Sequence, residues 1–252
     1  MSDLKEETTV DDTQPVQAEE AAEEKRKPID PSLEGIQLVY EKNKKLINYI
    51  GAGLAIVVAA FCFFKLYYLP EQEKEAANEI FWAQDLFAVD SFNLALKGGI
   101  MVMAPDGQKQ MKGFEQVADE YGMTKTGNLA NYYAGICYLR TGKFEQAIEF
   151  LKKYDGKDDI VSSIAVGAVG DCYMELNKQD EALKYYLKAT DKSLNSFTTP
   201  FYLKKAGFVY ELKSNYREAL AAYERIQKEY PKSTEAANIE KYISKVKTLG
   251  NL

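Results

Sequence analysis

Asp171 and Glu175 stand four residues apart. On a helix that spacing projects both carboxylates from one face, the arrangement of a general acid–base pair. Cys137 and Cys172 are the other reactive candidates, and two thiols at matching positions would suit a redox pair or a metal site. Their surroundings argue against such chemistry. The chain has no histidine, so every Ser–His or Cys–His nucleophile pair and every imidazole-ligated zinc site is excluded. The three cysteines (Cys62, Cys137 and Cys172) form no CxxC pair and are odd in number, which is no disulfide framework. No phosphate-binding glycine loop, nucleophile elbow or metal-ligand cluster is present in the sequence. The acidic pair therefore reads as a solvated or groove-lining face and the cysteines as small core residues. The expectation is a chain that is no enzyme and takes no cofactor, metal or small-molecule substrate.

What positions these residues is an internal repeat. Three segments align: NYYAGICYLRTGKFEQAIEFLKKY from Asn131, VGAVGDCYMELNKQDEALKYYLKA from Val166 and LKKAGFVYELKSNYREALAAYERI from Leu203. Gly135, Gly170 and Gly207 share one position. Tyr138, Tyr173 and Tyr210 follow three residues later, and Ala147, Ala182 and Ala219 twelve residues later. The periods are 35 and 37 residues. This pattern resembles the tetratricopeptide repeat (TPR) family, whose period is about 34 residues, and Pro231 stands where that family ends its second helix. The resemblance implies antiparallel helix pairs in which glycine on one helix and alanine on the other allow close approach, with the tyrosine packed between them. Larger residues at the small positions would cost about 1–3 kcal/mol.

The rest of the chain frames this array. Residues 1–45 carry 12 acidic and 7 basic side chains out of 38 and 32 in the whole chain, so the acidity belongs to a tail. That leaves the remainder near neutral, without a basic patch for nucleic acid. The tail reads as disordered, with a juxtamembrane helix starting near Ser32 or Leu33. Residues 46–64, LINYIGAGLAIVVAAFCFF, are uncharged with Asn48 as the one polar side chain. At about 1.5 Å per residue they span about 28 Å, against a hydrocarbon core of about 30 Å. Lys65, Tyr67 and Tyr68 suit the far interface, so residues 46–68 are expected to form a transmembrane helix. Lys42, Lys44 and Lys45 before the span, against Lys65 and an acid-diluted Lys74 after it, favour a cytoplasmic N-terminus. From Pro70 a long helix is expected through residue 97, then a loop punctuated by Gly98, Gly99 and Pro105-Asp106-Gly107, then a helix over 112–121. Residues 69–127 thus read as a degenerate first repeat with an inserted loop, 128–232 as three repeats, and 233–252 as a capping helix. The fold class is all-α: a single N-terminal transmembrane helix followed by a TPR α-solenoid.

In TPR arrays the first helix of each repeat lines a concave groove. Carried over residue by residue, those positions are Leu129, Tyr132, Ile136, Leu139 and Arg140, then Ile164, Asp171, Met174 and Glu175, then Phe201, Lys204, Phe208, Glu211 and Leu212. The surface is mainly apolar with charges of both signs, which suits an amphipathic helix or an apolar extended segment. Alternatively, the preceding long helix or a terminal segment fills it. Tyr132 and Ile136 stand where the subclass that grips chaperone C-terminal carboxylates carries Lys and Asn, so that subclass is excluded.

The stretch YEKNKKLINYIGAGLAIVVAAFCFFKLYYLPEQEKEAANEIFWAQDLF, followed by TGNLANYYAG, is similar to the ancillary SecYEG translocon subunit (YfgM-like) family of bacterial inner membranes over residues 40–230. The longer acidic tail departs from that family. The resemblance implies an inner-membrane, single-pass protein with a periplasmic TPR domain beside the export channel. Its partners would be SecYEG and a membrane-anchored periplasmic chaperone. An envelope assembly or division scaffold, or an import receptor facing the cytosol, remain as alternatives.

Overall fold

The computed structural model describes residues 31–104, 107–192 and 194–252, with side chains described from residue 39 onward. The acidic tail over 1–30 and the turn at Pro105-Asp106 lie outside the described residues. The chain divides into two compact units, Met1–Phe63 and Phe64–Leu252.

In the first unit helix α1 runs Pro31–Phe63. Proline opens it, at the position where a missing N–H breaks no helical bond. Among the described residues there is one helix long and apolar enough to cross a membrane, and none of its most apolar window is buried. Leu46, Ile47, Tyr49 and Ile50 are all exposed within a single turn, as are Leu54, Val57, Val58 and Phe61 further along. A surface helix of a soluble protein keeps one polar face; this one has none over that stretch.

The second unit opens with a π-helical turn over Phe64–Tyr68, then α2 (Leu69–Ala88) and α3 (Phe92–Lys97). A single helix through residue 97 is expected from periodicity, and the structure breaks it. Asp90 adopts φ 57° and the Ser91 N–H reaches back to the Leu86 carbonyl at 2.9 Å, a left-handed helix stop. The Phe87 and Phe92 rings meet edge-on at 5.5 Å across the corner.

The expected loop is a β-hairpin. Strand β1 (Gly98–Ala104) pairs antiparallel with β2 (Gly107–Lys112), in the register Met101↔Gln110, Val102↔Lys109, Met103↔Gln108 and Ala104↔Gly107. The run Ile100–Ala104 is apolar and short, a strand signal that periodicity cannot tell from a helix segment. The hairpin base closes because Gly98 and Gly113 lack side chains. A Cβ on Gly98, whose φ is +67°, would stand 2.4 Å from the Gly113 nitrogen. Val102 and Met111 of the hairpin join the core against residues of α2 and of α4 (Phe114–Glu120).

Next come three helix pairs: α5 (Lys125–Arg140) with α6 (Phe144–Lys153), α7 (Val161–Glu175) with α8 (Gln179–Lys192), and α9 (Thr198–Leu212) with α10 (Tyr216–Glu229). Each pair packs on the next, and α11 (Ile239–Gly250) closes the stack by burying Ile239, Ile243 and Val246 against α10. This is a TPR-like solenoid.

The repeat positions acquire physical roles. A Cβ on Gly135 would stand 2.6 Å from Leu151, one on Gly170 2.7 Å from the Tyr186 ring, and one on Gly207 2.3 Å from the Tyr223 ring. Each glycine therefore seats the side chain sixteen residues later, on the second helix of its own pair. Ala147, Ala182 and Ala219 have no exposed surface. Tyr138 is buried between helices, while Tyr173 and Tyr210 are only half-buried, Tyr173 stacking on Tyr185 at 5.4 Å.

The first helix of every pair ends the same way. Gly142, Asn177 and Ser214 take left-handed φ of 75°, 57° and 58°. The next residues, Lys143, Lys178 and Asn215, donate to the carbonyls of Tyr138, Tyr173 and Tyr210 at 2.8–2.9 Å. A left-handed conformation costs a residue with a Cβ about 1–2 kcal/mol, and glycine avoids this at some cost in unfolded-chain entropy. Ser214→Gly is therefore expected to stabilise the protein by about 0.5–1 kcal/mol, read as a raised urea midpoint.

Side-chain caps hold the helix starts. Glu73 of α2 accepts from the Lys125 N–H (2.6 Å), the Thr126 N–H (3.3 Å) and the Thr126 hydroxyl (2.7 Å), pinning α2 to the start of α5. Asp158 accepts from the N–H groups of Ile160, Val161 and Ser162 at 3.1, 2.5 and 3.3 Å, and from the Tyr154 hydroxyl at 2.8 Å. Burial works to raise the Asp158 pKa, but the bonds from Tyr154 and the three backbone N–H groups outweigh it and hold it below the ordinary carboxylate value. A depressed folded pKa stabilises above the unfolded pKa of about 3.9 and stops doing so as pH falls through the folded value. Asp158→Ala is thus expected to cost about 1 kcal/mol at pH 7, and the gap between variant and wild type should close in melts as pH falls below the ordinary carboxylate range.

Candidate functional site

The first helices of the three pairs, α5, α7 and α9, turn one face towards a cleft of about 1400 Å³. Its wall takes Tyr132, Ile136, Leu139 and Arg140 from α5, Ile164, Asp171, Met174 and Glu175 from α7, and Phe201, Lys204 and Phe208 from α9. Three groove positions expected from the repeat register are not in the wall. Leu129 is half-buried, Leu212 is exposed outside it, and Glu211 is engaged elsewhere. Phe87 of α2 and Glu235 and Tyr242 of the C-terminal segment also line the cleft, with the stated volume left open between all of these walls.

Several wall residues lie outside the groove positions expected from the repeat register. Phe144, Phe197, Tyr202, Lys205 and Tyr242 all contribute. Tyr202 is the most informative. Its ring fills the space beside Gly167 of the previous pair, where a Cβ would stand 2.0 Å away. Gly167 is the sequence signal, since a second helix glycine three residues before Gly170 asks for a close neighbour.

The wall is aromatic and exposed on α9. Phe201 and Phe208 are 41% and 50% exposed, too much for core residues. They flank Lys204, whose Nζ lies 5.0 Å from the Tyr242 ring centre, and Lys205, whose Nζ lies 5.0 Å from the Phe201 ring centre. Such cation–ring contacts hold the lysine stems against the wall.

The acids behave differently from one another. Asp171 accepts from the Tyr186 hydroxyl at 2.7 Å and pairs with Lys205 at 2.5 Å. Glu211 accepts from the Tyr223 hydroxyl at 2.7 Å and pairs with Lys245 at 2.5 Å. In the first pair Tyr138 and Lys97 both bond Glu115. Each is a tyrosine–carboxylate–lysine staple, and in the last two the lysine comes from the next element along the stack. Burial, then the charge and hydrogen bond of Asp171, push the Tyr186 phenol well above its ordinary value, so it stays a donor. Tyr223 is raised by burial and the Glu211 bond. Asp171 is therefore committed internally, and the Asp171–Glu175 spacing yields no acid–base pair. Glu175 and Arg140 remain as exposed charges of the wall.

Cys137 and Cys172 are free thiols with no exposed surface. Burial pushes both up to about 12. A thiol is then protonated at neutral pH and unsuited to nucleophilic, redox or metal chemistry.

Tetratricopeptide repeat models match residues 129–155, 165–191 and 205–233. A TPR repeat-containing protein of Methanocaldococcus jannaschii is 26% identical over 171 residues, 65% of this chain. The alignment spans only 26% of the length of that relative. Two crystal structures of nearly identical TPR-like repeats from Podosopora anserina align over 73% of this chain and 87% of theirs, at 11% and 10% identity and a TM-score of 0.46. The three matched segments coincide with the helix pairs that build the cleft.

Proposed function

We propose that this tetratricopeptide repeat chain is a membrane-anchored protein-binding scaffold whose cleft takes an amphipathic helix or an apolar extended segment of a partner. The observation that carries the reading is the aromatic, partly exposed wall of α5, α7 and α9 around an open space of about 1400 Å³. That volume is too long and open for a small-molecule pocket of about 300–1,000 Å³ and suits a segment with several apolar anchors. The apolar, unburied α1 supports the anchor. In water its exposed side chains would cost about 25 cal/mol per Å² of apolar surface, a cost that lipid removes.

The finer reading is an accessory subunit or chaperone adaptor at the protein-export translocon, with the N-terminus cytoplasmic and the repeats periplasmic. Its support is the resemblance over residues 40–230 and the lysines before the span. Few residues (Lys65–Tyr68) separate the apolar run from α2, so partners in or beside the membrane are favoured.

Site-specific crosslinking at Tyr132 or Phe208 in intact membranes tests this. Recovery of SecY-type partners or a membrane-anchored chaperone is the expected result. Partners drawn only from envelope assembly or division would replace the translocon role. A C-terminal reporter active in the cytoplasm would overturn the periplasmic orientation in favour of an import receptor.

A further inference from the structure

The hairpin presents an open strand edge. The two-stranded sheet has the order β1-β2, so β1 has one strand neighbour. Strand β2 is the inner strand, packed against α2 and α4. Its lysines are also engaged: Lys109 pairs with Glu79 at 3.0 Å and Lys112 pairs with Glu120. Strand β1, Gly98–Ala104, carries no charge at all. Ile100, Met101 and Met103 are 37%, 62% and 67% exposed along it.

The register says which backbone groups face outward. Ala104↔Gly107 is the last pair before a two-residue connection, and the closing pair of such a hairpin is a hydrogen-bonded one. Bonded pairs recur at every second residue, so Ala104 and Val102 exchange bonds with β2. Met101 and Met103 then direct their N–H and C=O groups away from it. Natural sheets guard such an edge with charge, proline or a covering element. Over Gly98–Ala104 the sequence supplies none of the first two; among the described helices, α2 and α4 pack on β2, and α3, which leads directly into β1, also touches it.

We infer that the β1 edge pairs antiparallel with the β1 edge of a second copy of this chain, giving a four-stranded sheet in the order β2-β1-β1-β2. A two-fold axis through Val102 sets Met101 of one copy opposite Met103 of the other, and the reverse. Those two pairs complete the outward N–H and C=O groups of both residues. An uncharged strand is self-complementary, because no like charges meet across the axis. Three side chains per copy bury well under the ~1,200 Å² of a stable interface, so the pair is weak in dilute solution and is best read by trapping.

The test uses the full chain in detergent with Cys62→Ala, since Cys137 and Cys172 are buried. Differently tagged Met101→Cys and Met103→Cys proteins are mixed and oxidised. Hydrogen-bonded partners lie about 5.5 Å apart at Cα, within disulfide reach. The expected result is a mixed disulfide dimer at least tenfold above that formed by Lys109→Cys mixed with either protein. Both methionines are exposed, so neither change threatens folding, and an unchanged circular dichroism melt checks this. No excess over the Lys109→Cys control with melts unchanged, or disulfides formed only with other proteins in membranes, would overturn self-pairing.

Discussion

Gly207→Ala is expected to destabilise the protein by about 2–3 kcal/mol, among the largest effects of adding a single methyl. A Cβ there would lie 2.3 Å from the Tyr223 ring, and Tyr223 is fully buried in the cluster that α11 closes. The ring cannot retreat cheaply, because its hydroxyl is bonded to Glu211, which Lys245 of α11 also holds. The methyl therefore pushes α10 away from α9 and loosens the cap with it. The equivalent glycine of the first pair faces Leu151, a residue without a ring. Adding Tyr223→Leu to Gly207→Ala should thus recover part of the loss, about 1 kcal/mol, although the hydroxyl bond is gone. Urea unfolding of the two single variants and the double variant measures this. An additive double variant would mean that the ring is not what the methyl meets.

The second large effect concerns binding alone. Phe208→Asp should weaken capture of the partner by about 30-fold or more, the size expected for an aromatic anchor at the centre of an interface. Phe208 is half exposed on the cleft wall between Lys204 and Leu212, so the same change should move stability by no more than about 0.5 kcal/mol. Leu212→Asp, outside the wall, provides the contrast and should leave capture nearly unchanged. Crosslink yield in membranes, read beside a thermal melt of each variant, separates the two quantities. Equal loss of binding from both substitutions would point to a surface other than the cleft.

The staples sharpen the choice of these positions. Asp171 and Glu211 look like groove acids when only their helix positions are considered. Their actual partners, Tyr186 with Lys205 and Tyr223 with Lys245, lie on neighbouring helices 15 and 34 residues away for Asp171, and 12 and 34 for Glu211. Substituting either acid would disturb stacking and binding together, so neither reports cleanly on recognition.

How much could be read beforehand follows from the range of each interaction. The glycine, tyrosine and alanine rows were legible because a repeat presents the same local demand three times in phase. The apolar span was legible because lipid acts on every face of a helix alike, leaving a run with no period to decode. The absence of histidine limited the chemistry by composition alone. The pair of α2 and α3, by contrast, hides a break at Asp90, since apolar spacing continues across a corner that a left-handed residue makes. The hairpin hides for a related reason: five apolar residues in a row satisfy a strand and a helix equally, and only pairing with β2 decides.

The sequence by itself determined that helical hairpins repeat and that an apolar helix precedes them, because those properties rest on contacts within about 40 residues. Only the tertiary structure decided which groove positions stay open. Leu129 and Glu211 occupy the same kind of register as Ile136 and Phe208, yet one lies half-buried outside the wall and the other is stapled to neighbouring helices. That outcome depends on what neighbouring elements bring to each position, as Tyr202 fills the space beside Gly167 and Lys245 reaches Glu211. Such pairings join residues that no local period connects, and the free energy that selects them exists only once the helices are stacked.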